Sequence, residues 1–188
     1  RAAEPAGPKR MSPHPQAGPT HVTEQTYLIR LEAAGDAPAI DILNDTAFGP
    51  GRFARTAYRL REGIPHDPEL AFVATVDGRL VGSVRLTPIL VETTGALLLG
   101  PLAVHPDVAN RGIGRNLVRT AVARARELGH RLVLLVGDPP YYAPVGFAPV
   151  RPGQITFPGP VDPHRLLAAS LADGAEAIAG EVRRPVDG

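Results

Sequence analysis

The stretch after Val104 carries the residues with the clearest chemical meaning: His105-Pro106-Asp107-Val108-Ala109-Asn110-Arg111-Gly112-Ile113-Gly114-Arg115-Asn116. Glycines 112 and 114 lie between an apolar run and a long amphipathic one. Backbone amides can crowd there around an anion at the positive end of a helix, and a phosphate or pyrophosphate is the natural guest. A glycine pair used only to make a turn fits the same two positions. Better-defined phosphate motifs are missing: nothing reads Gly-x-x-x-x-Gly-Lys-Ser/Thr. The third glycine of a dinucleotide fingerprint would fall at position 117, which is leucine, and no acidic residue ends the next apolar run, Arg131 to Val136.

Covalent chemistry has few residues to work with. The chain has no cysteine, which removes thiolate nucleophiles, thiolate zinc sites and disulfides. Ser83, in Val81-Gly82-Ser83-Val84-Arg85, lacks the second glycine of a nucleophile elbow and lies inside an expected strand. Any acyl chemistry must therefore avoid an enzyme thiol. His105 and His130 fall at a strand end and in a helix-to-strand turn, where capping roles predominate, and no His, Asp and Glu spacing suggests a metal. Arg115, Arg119 and Arg126 project within an arc of about 40° on a helix. A solvated face accounts for Arg119 and Arg126.

These residues need a scaffold, and its elements can be read from periodicity. Tyr27 to Leu31 reads as a first strand. Asp36-Ala37-Pro38 then opens a helix with Asp36 as its cap and Ile40, Leu43, Ala47 and Phe48 at helical spacing. A second, Arg-rich helix is expected from Phe53 to Arg61, stopped by Gly63 and Pro65. Glu69 to Val76 and Arg79 to Leu86 are β-rich runs joined by Asp77-Gly78, a two-residue hairpin signal. Gly95 to Val104 reads as a strand buried on both faces, but Pro101 cannot donate to a ladder, so a bulge or a one-sided loss of pairing is expected there. Apolar residues from Ile113 to Leu128 keep to one side of a helix that Gly129 ends, and Arg131 to Val136 is the next buried strand. Together these form a right-handed crossover joining parallel strands. The following stretch, with eight prolines from Pro139 to Pro163, can hold only short elements. His164 to Leu171 and Glu181 to Arg184 are expected as late strands.

At 188 residues the chain suits one domain, assigned to 25–188, behind a Pro-rich tail, 1–24, expected to be mobile. Formal charge is +1, with 19 Arg and Lys9 against 19 acidic residues, so no overall field points to nucleic acid or to an anionic membrane. No run of about 18 apolar residues offers a membrane span, and residues 1–20 lack the apolar core of a secretory signal. A cytoplasmic location is the expectation. A homodimer follows only from the commonness of two-fold assemblies.

The run Leu98, Gly100-Pro101-Leu102-Ala103-Val104-His105-Pro106, then Arg111-Gly112-Ile113-Gly114, the helix, the strand ending Leu135-Val136-Gly137-Asp138, and Tyr141-Tyr142 before Gly146-Phe147 resembles the GCN5-related N-acetyltransferases, nearest to their YhbS-like bacterial branch. The resemblance spans residues 27–150. It implies an α/β fold, a three-layer α/β/α sandwich with a mixed, centrally splayed sheet, and acetyl-CoA as cosubstrate without a metal. It also implies that amides from Ala109 through Asn110, Arg111, Gly112, Ile113 and Gly114 to Arg115 hold the pyrophosphate. The pantetheine arm would lie along Leu102, Ala103 and Val104 like an added strand. Acetyl transfer to an amine passes through an oxyanion and expels a thiolate. A backbone amide near Leu102 to Val104 is the implied oxyanion donor, Tyr142 the implied general acid, and Tyr141 a wall of the pocket.

The sequence departs from the family pattern in places. Ala109 stands where a Gln or Arg usually leads the loop, Asn110 where glycine is usual, and Leu97, Leu98 and Leu99 where some members carry a basic glutamate. Asp138-Pro139-Pro140 shortens the last helix. Two rival readings follow: a non-catalytic acyl-CoA-binding module, and a structural or partner-binding protein whose segment 151–188 mediates assembly beside a vestigial cofactor site. The acceptor amine is expected to enter near the first two helices and the late loops.

Overall fold

The structure is a computed structural model that describes residues 26–49 and 55–185; the expected tail and the start of the second helix at Phe53 lie outside them. Strand β1 (Leu28–Leu31) leads to helix α1 (Ala37–Phe48) and the short α2 (Thr56–Arg61). Asp36 stands at the cap position of α1, but its backbone is already helical and its side chain bonds nothing in α1. The carboxylate instead accepts the Ala33 amide at 2.7 Å and the Arg30 guanidinium at 2.7 and 3.0 Å. It thus ties the end of β1 to the turn before α1 and does not cap the helix.

The hairpin forms as its dipeptide dictates. Asp77 and Gly78 have φ of 48° and 77°, the left-handed pair that a tight hairpin turn needs, and they join β2 (Ala71–Val76) to β3 (Arg79–Val91). Strand β3 runs well past Leu86, with Pro88 paired opposite Leu97 of β4 (Thr94–Val104). Helix α3 (Ile113–Glu127) and β5 (Leu132–Val136) complete the crossover, with β5 parallel to β4. The Pro-rich stretch holds short elements, α4 (Pro139–Tyr142) with a 3-10 turn after it (Ala143–Val145), β6 (Ala148–Pro149) and β7 (Ile155–Thr156).

Residues beyond 151 are built into the sheet. Strand β8 (Leu166–Ser170) pairs antiparallel with β5, and β9 (Gly180–Arg183) pairs with the far end of β3 and with β7. The main order is β1-β2-β3-β4-β5-β8-β6, mixed as expected. Two cores flank it, and the alternation along each strand assigns residues to one or the other. Leu97, Leu99, Val133 and Leu135 face α3 residues such as Leu117 and Ala121, whereas Ala96, Leu98, Leu132 and Leu134 face Leu60 of α2, Ile155 and Val182. Both faces of β4 and β5 are therefore covered, which gives the three-layer arrangement and explains why these two runs read as continuously apolar.

Candidate active site

The parallel ladder between β4 and β5 joins Leu97 to Val133 and Leu98 to Leu134 and then stops, although β4 continues to Val104 and β5 to Val136. From Leu99 onward the strands diverge. On its other edge β4 stays paired with β3, where Val84 faces Leu102 and Leu86 faces Leu99, so that Arg85 opposes both Gly100 and Pro101. This is the bulge that Pro101 demands, and it turns the end of β4 away from β5.

A cleft of about 1410 Å³ occupies the divergence. Leu99, Pro101, Leu102 and Val104 of β4 line one side, Leu135 and Val136 of β5 another, with Tyr141 and Tyr142 beside them. Ala103, between two lining residues, points the opposite way and is buried. Residues of α1 and α2, among them Asp41, Asn44, Arg59 and Arg61, together with Pro160 and Asp162, close the remaining walls.

At the end of the divergence, β4 passes through the loop 105–112 into α3. His105 caps the intervening turn, its Nδ1 accepting the Asp107 amide at 3.1 Å. Asn110 and Gly112 take φ of 62° and 79°; asparagine is one of the few residues that tolerates this region, so the departure at 110 leaves the loop conformation intact. No side chain caps α3, and the amides of Ile113, Gly114 and Arg115 precede the first intrahelical bond, from Asn116 to Gly112. Ile113 itself is buried in the core below.

Ala109 through Arg115 do not line the cleft directly, because Tyr141 stands between. Its hydroxyl lies against Gly114, in the space a Cβ there would need. Arg115 donates from Nε to the Tyr141 carbonyl at 3.1 Å and stacks its guanidinium 4.9 Å from the ring centroid. Tyr141 is thus a wall, clamped to the first turn of α3. Arg119 is engaged on the helix surface with Asn116 at 2.9 Å.

Tyr142 packs over Gly137, which has no room for a side chain beneath the ring, and meets Tyr141 and Phe147 edge-on at 4.8 and 5.9 Å between centroids. Burial, and then the neighbouring Tyr141 and Asp138, push its pKa up to about 12. No side-chain hydrogen bond among the described residues engages its hydroxyl. The phenol therefore stands neutral, with its proton in place, at the cleft wall.

The wall opposite the tyrosines holds groups that sequence reasoning passed over. Arg85 grips Glu32 through two bonds of 2.9 and 2.6 Å, and His66 Nε2 lies 3.7 Å from the same carboxylate. Burial, with Arg85 next, lowers the His66 pKa, so the imidazole is neutral at pH 7. Asn44 is buried with Oδ1 unbonded among the described residues. Local sequence carried no sign of this cluster, since Glu32, His66 and Arg85 come from three separate segments. Among the described residues no group of three or more His, Asp and Glu could hold a metal, and no helix is long and apolar enough to cross a membrane.

The chain as a whole is similar to known proteins in sequence and in fold. Residues 38–147 match the model of the acetyltransferase (GNAT) family. The uncharacterized N-acetyltransferase YhbS of Escherichia coli K12 is 35% identical over 123 residues, covering 64% of this chain and 72% of that protein. The solved structure of Escherichia coli YhbS in complex with CoA superposes with a TM-score of 0.73 at 30% identity, over 85% of this chain and 89% of that one. A GNAT family acetyltransferase from Brucella melitensis, solved with acetyl-CoA, shares the fold at a TM-score of 0.65 and 24% identity, over 86% and 97% of the two chains. The chain belongs to the acetyltransferase (GNAT) family and is an acyltransferase.

Proposed function

We propose that the protein transfers an acetyl group from acetyl-CoA to a primary amine directly, within a ternary complex. The observation that carries this reading is the end of the β4–β5 ladder at Leu98 and Leu134, which opens a cleft walled by Tyr142 and by Tyr141, the latter lying against the first turn of α3. An extended pantetheine arm would bond along Leu102 to Val104 as a substitute strand, with the diphosphate on the amides of Ile113 to Arg115. The CoA bound by the YhbS relative supports the same cosubstrate here.

In the reaction the amine nitrogen attacks the thioester carbonyl, forming the C–N bond. The oxyanion is held by a backbone amide on the free edge of β4 near Leu102 to Val104. Collapse breaks the C–S bond, and the departing thiolate takes the Tyr142 proton. The amine's own proton leaves to neutral His66, whose Nε2 lies 3.7 Å from Glu32. Solvent then restores both groups. No covalent acyl-enzyme is involved.

Free-thiol release with a panel of amines, run beside calorimetry with CoA, tests this reading. Turnover with at least one amine and micromolar binding of CoA are expected. Binding with no turnover of any acceptor, unchanged by Tyr142→Phe, would instead favour an acyl-CoA-binding module.

A further inference from the structure

Five arginines line the cleft, and Arg59 among them is exposed to solvent, where a guanidinium needs no protein partner. Arg85 is held by Glu32 at 2.6 Å, Arg165 stands 3.4 Å from Asp138, and Arg55 lies over the Phe48 ring at 5.8 Å. Arg61, the last residue of α2, has no hydrogen bond or ion pair to any described residue. Its guanidinium is pressed against the bulge of β4, where a Cβ on Gly100 would sit 2.7 Å from Nη1. Burial lowers its pKa to about 10, opposed only by the Tyr58 phenol. A partly buried guanidinium without a counter-ion carries a desolvation cost, and this one faces the open cleft. The same cleft holds a second unmet demand, the buried Asn44 Oδ1 with no donor.

The position of Arg61 identifies which substrate would meet this demand. Gly100 lies about 13 Å back along β4 from Val104 at the usual strand rise, away from the start of α3 where a diphosphate would bind. Arg61 therefore serves the acceptor end of the cleft. Building on the acetyl-transfer reading above, we propose that the acceptor is a small amine bearing an oxyanion, a carboxylate or a phosphate, received by Arg61, while Asn44 accepts an N–H of the same molecule. The planar fork of a guanidinium matches both oxyanions bidentately. Gly100 lets that fork lie flush on the backbone, close to the bulge where the acetyl group is to be transferred.

The test uses the full chain saturated with CoA and three sets of small amines: α- and ω-amino acids, the matching carboxamides, and aminoalkyl phosphates. Melting temperature and kcat/KM are read for wild type, Arg61→Gln and Arg61→Lys. At least one carboxylate or phosphate amine should raise the melting temperature of the wild-type complex and exceed its neutral counterpart in kcat/KM by about 100-fold. Arg61→Gln should abolish that preference with CoA affinity unchanged, and Arg61→Lys should retain part of it. The amino acid and phosphate sets show which oxyanion is meant. Equal response to neutral and anionic amines in wild type, or no response to any anionic amine, overturns the proposal. If neutral amines are acetylated as well as anionic ones, transfer stands and this inference falls. If anionic amines stabilise the complex through Arg61 but none is acetylated, recognition stands and the transfer reading falls.

Discussion

Tyr142 and His66 divide the proton traffic of the proposed reaction, and their environments make separate predictions. Tyr142→Phe should lower kcat by about 10²-fold or more while leaving the CoA dissociation constant within about twofold. Its hydroxyl has no side-chain hydrogen bond among the described residues, so a melting curve should move little and a kinetic loss can be assigned to the proton. His66 has a pKa below its ordinary 6.5. As a base it must be neutral, so kcat/KM should rise with pH through a value below 6.5 and then level off. His66→Gln should remove that limb, and an unchanged acid limb in the variant would assign the base elsewhere. The family resemblance points to Tyr142 through its place four residues before Gly146-Phe147, and the residue lines the cleft. Arg61, His66 and Asn44 were not legible in the sequence, because their significance comes from burial against β4 and β3, which no local pattern encodes. The place of Asp36 before Pro38 predicts a helix cap, but the Arg30 side chain, six residues earlier in β1, takes its carboxylate.

At the scale of elements, the start of α3 and the parting of β4 from β5 define the site. Gly112 holds φ of 79°, where an alanine costs about 1–2 kcal/mol. Gly112→Ala should therefore weaken CoA binding by about tenfold in calorimetry, through reorientation of the loop amides, more than it lowers global stability. Leu117, buried completely in the core between α3 and the sheet, presents the opposite case. Leu117→Ala should lower the unfolding free energy by about 2–5 kcal/mol, read by urea denaturation. The hairpin, the crossover and the bulge were legible because each rests on a local cause: positive φ at Asp77-Gly78, helical period after Gly112, and a missing N–H at Pro101. The length of β3 was not, since Pro88 argues against a strand; β2 stops opposite Arg85 and β9 joins only at Leu90, so Pro88 sits where β3 is paired with β4 alone.

For the molecule as a whole, charge is nearly balanced, so pH acts through particular groups. Hydrogen bonds from Arg30, then from the Ala33 amide, lower the Asp36 pKa to about 2. Its contribution is present above the ordinary value of 3.8 and is lost as pH falls toward 2. The lowered pKa of His66 acts at higher pH: stability is full above 6.5 and declines as pH falls and the folded protein resists taking up the proton. Thermal melts from pH 8 to 3 should show both declines, and Asp36→Asn should remove the lower one. The three-layer organisation follows from the family resemblance and agrees with the continuous apolar runs of β4 and β5, whereas the incorporation of segment 151–188 into the sheet beside β5 and β3 depends on pairings between distant residues. The most direct measurement is a crystal structure of the protein with acetyl-CoA. The diphosphate should rest on the amides of Ile113, Gly114 and Arg115, the pantetheine along Leu102 to Val104, and the sulfur within hydrogen-bond reach of the Tyr142 hydroxyl. A cofactor bound outside the β4–β5 gap, or a sulfur beyond reach of Tyr142, would contradict the account.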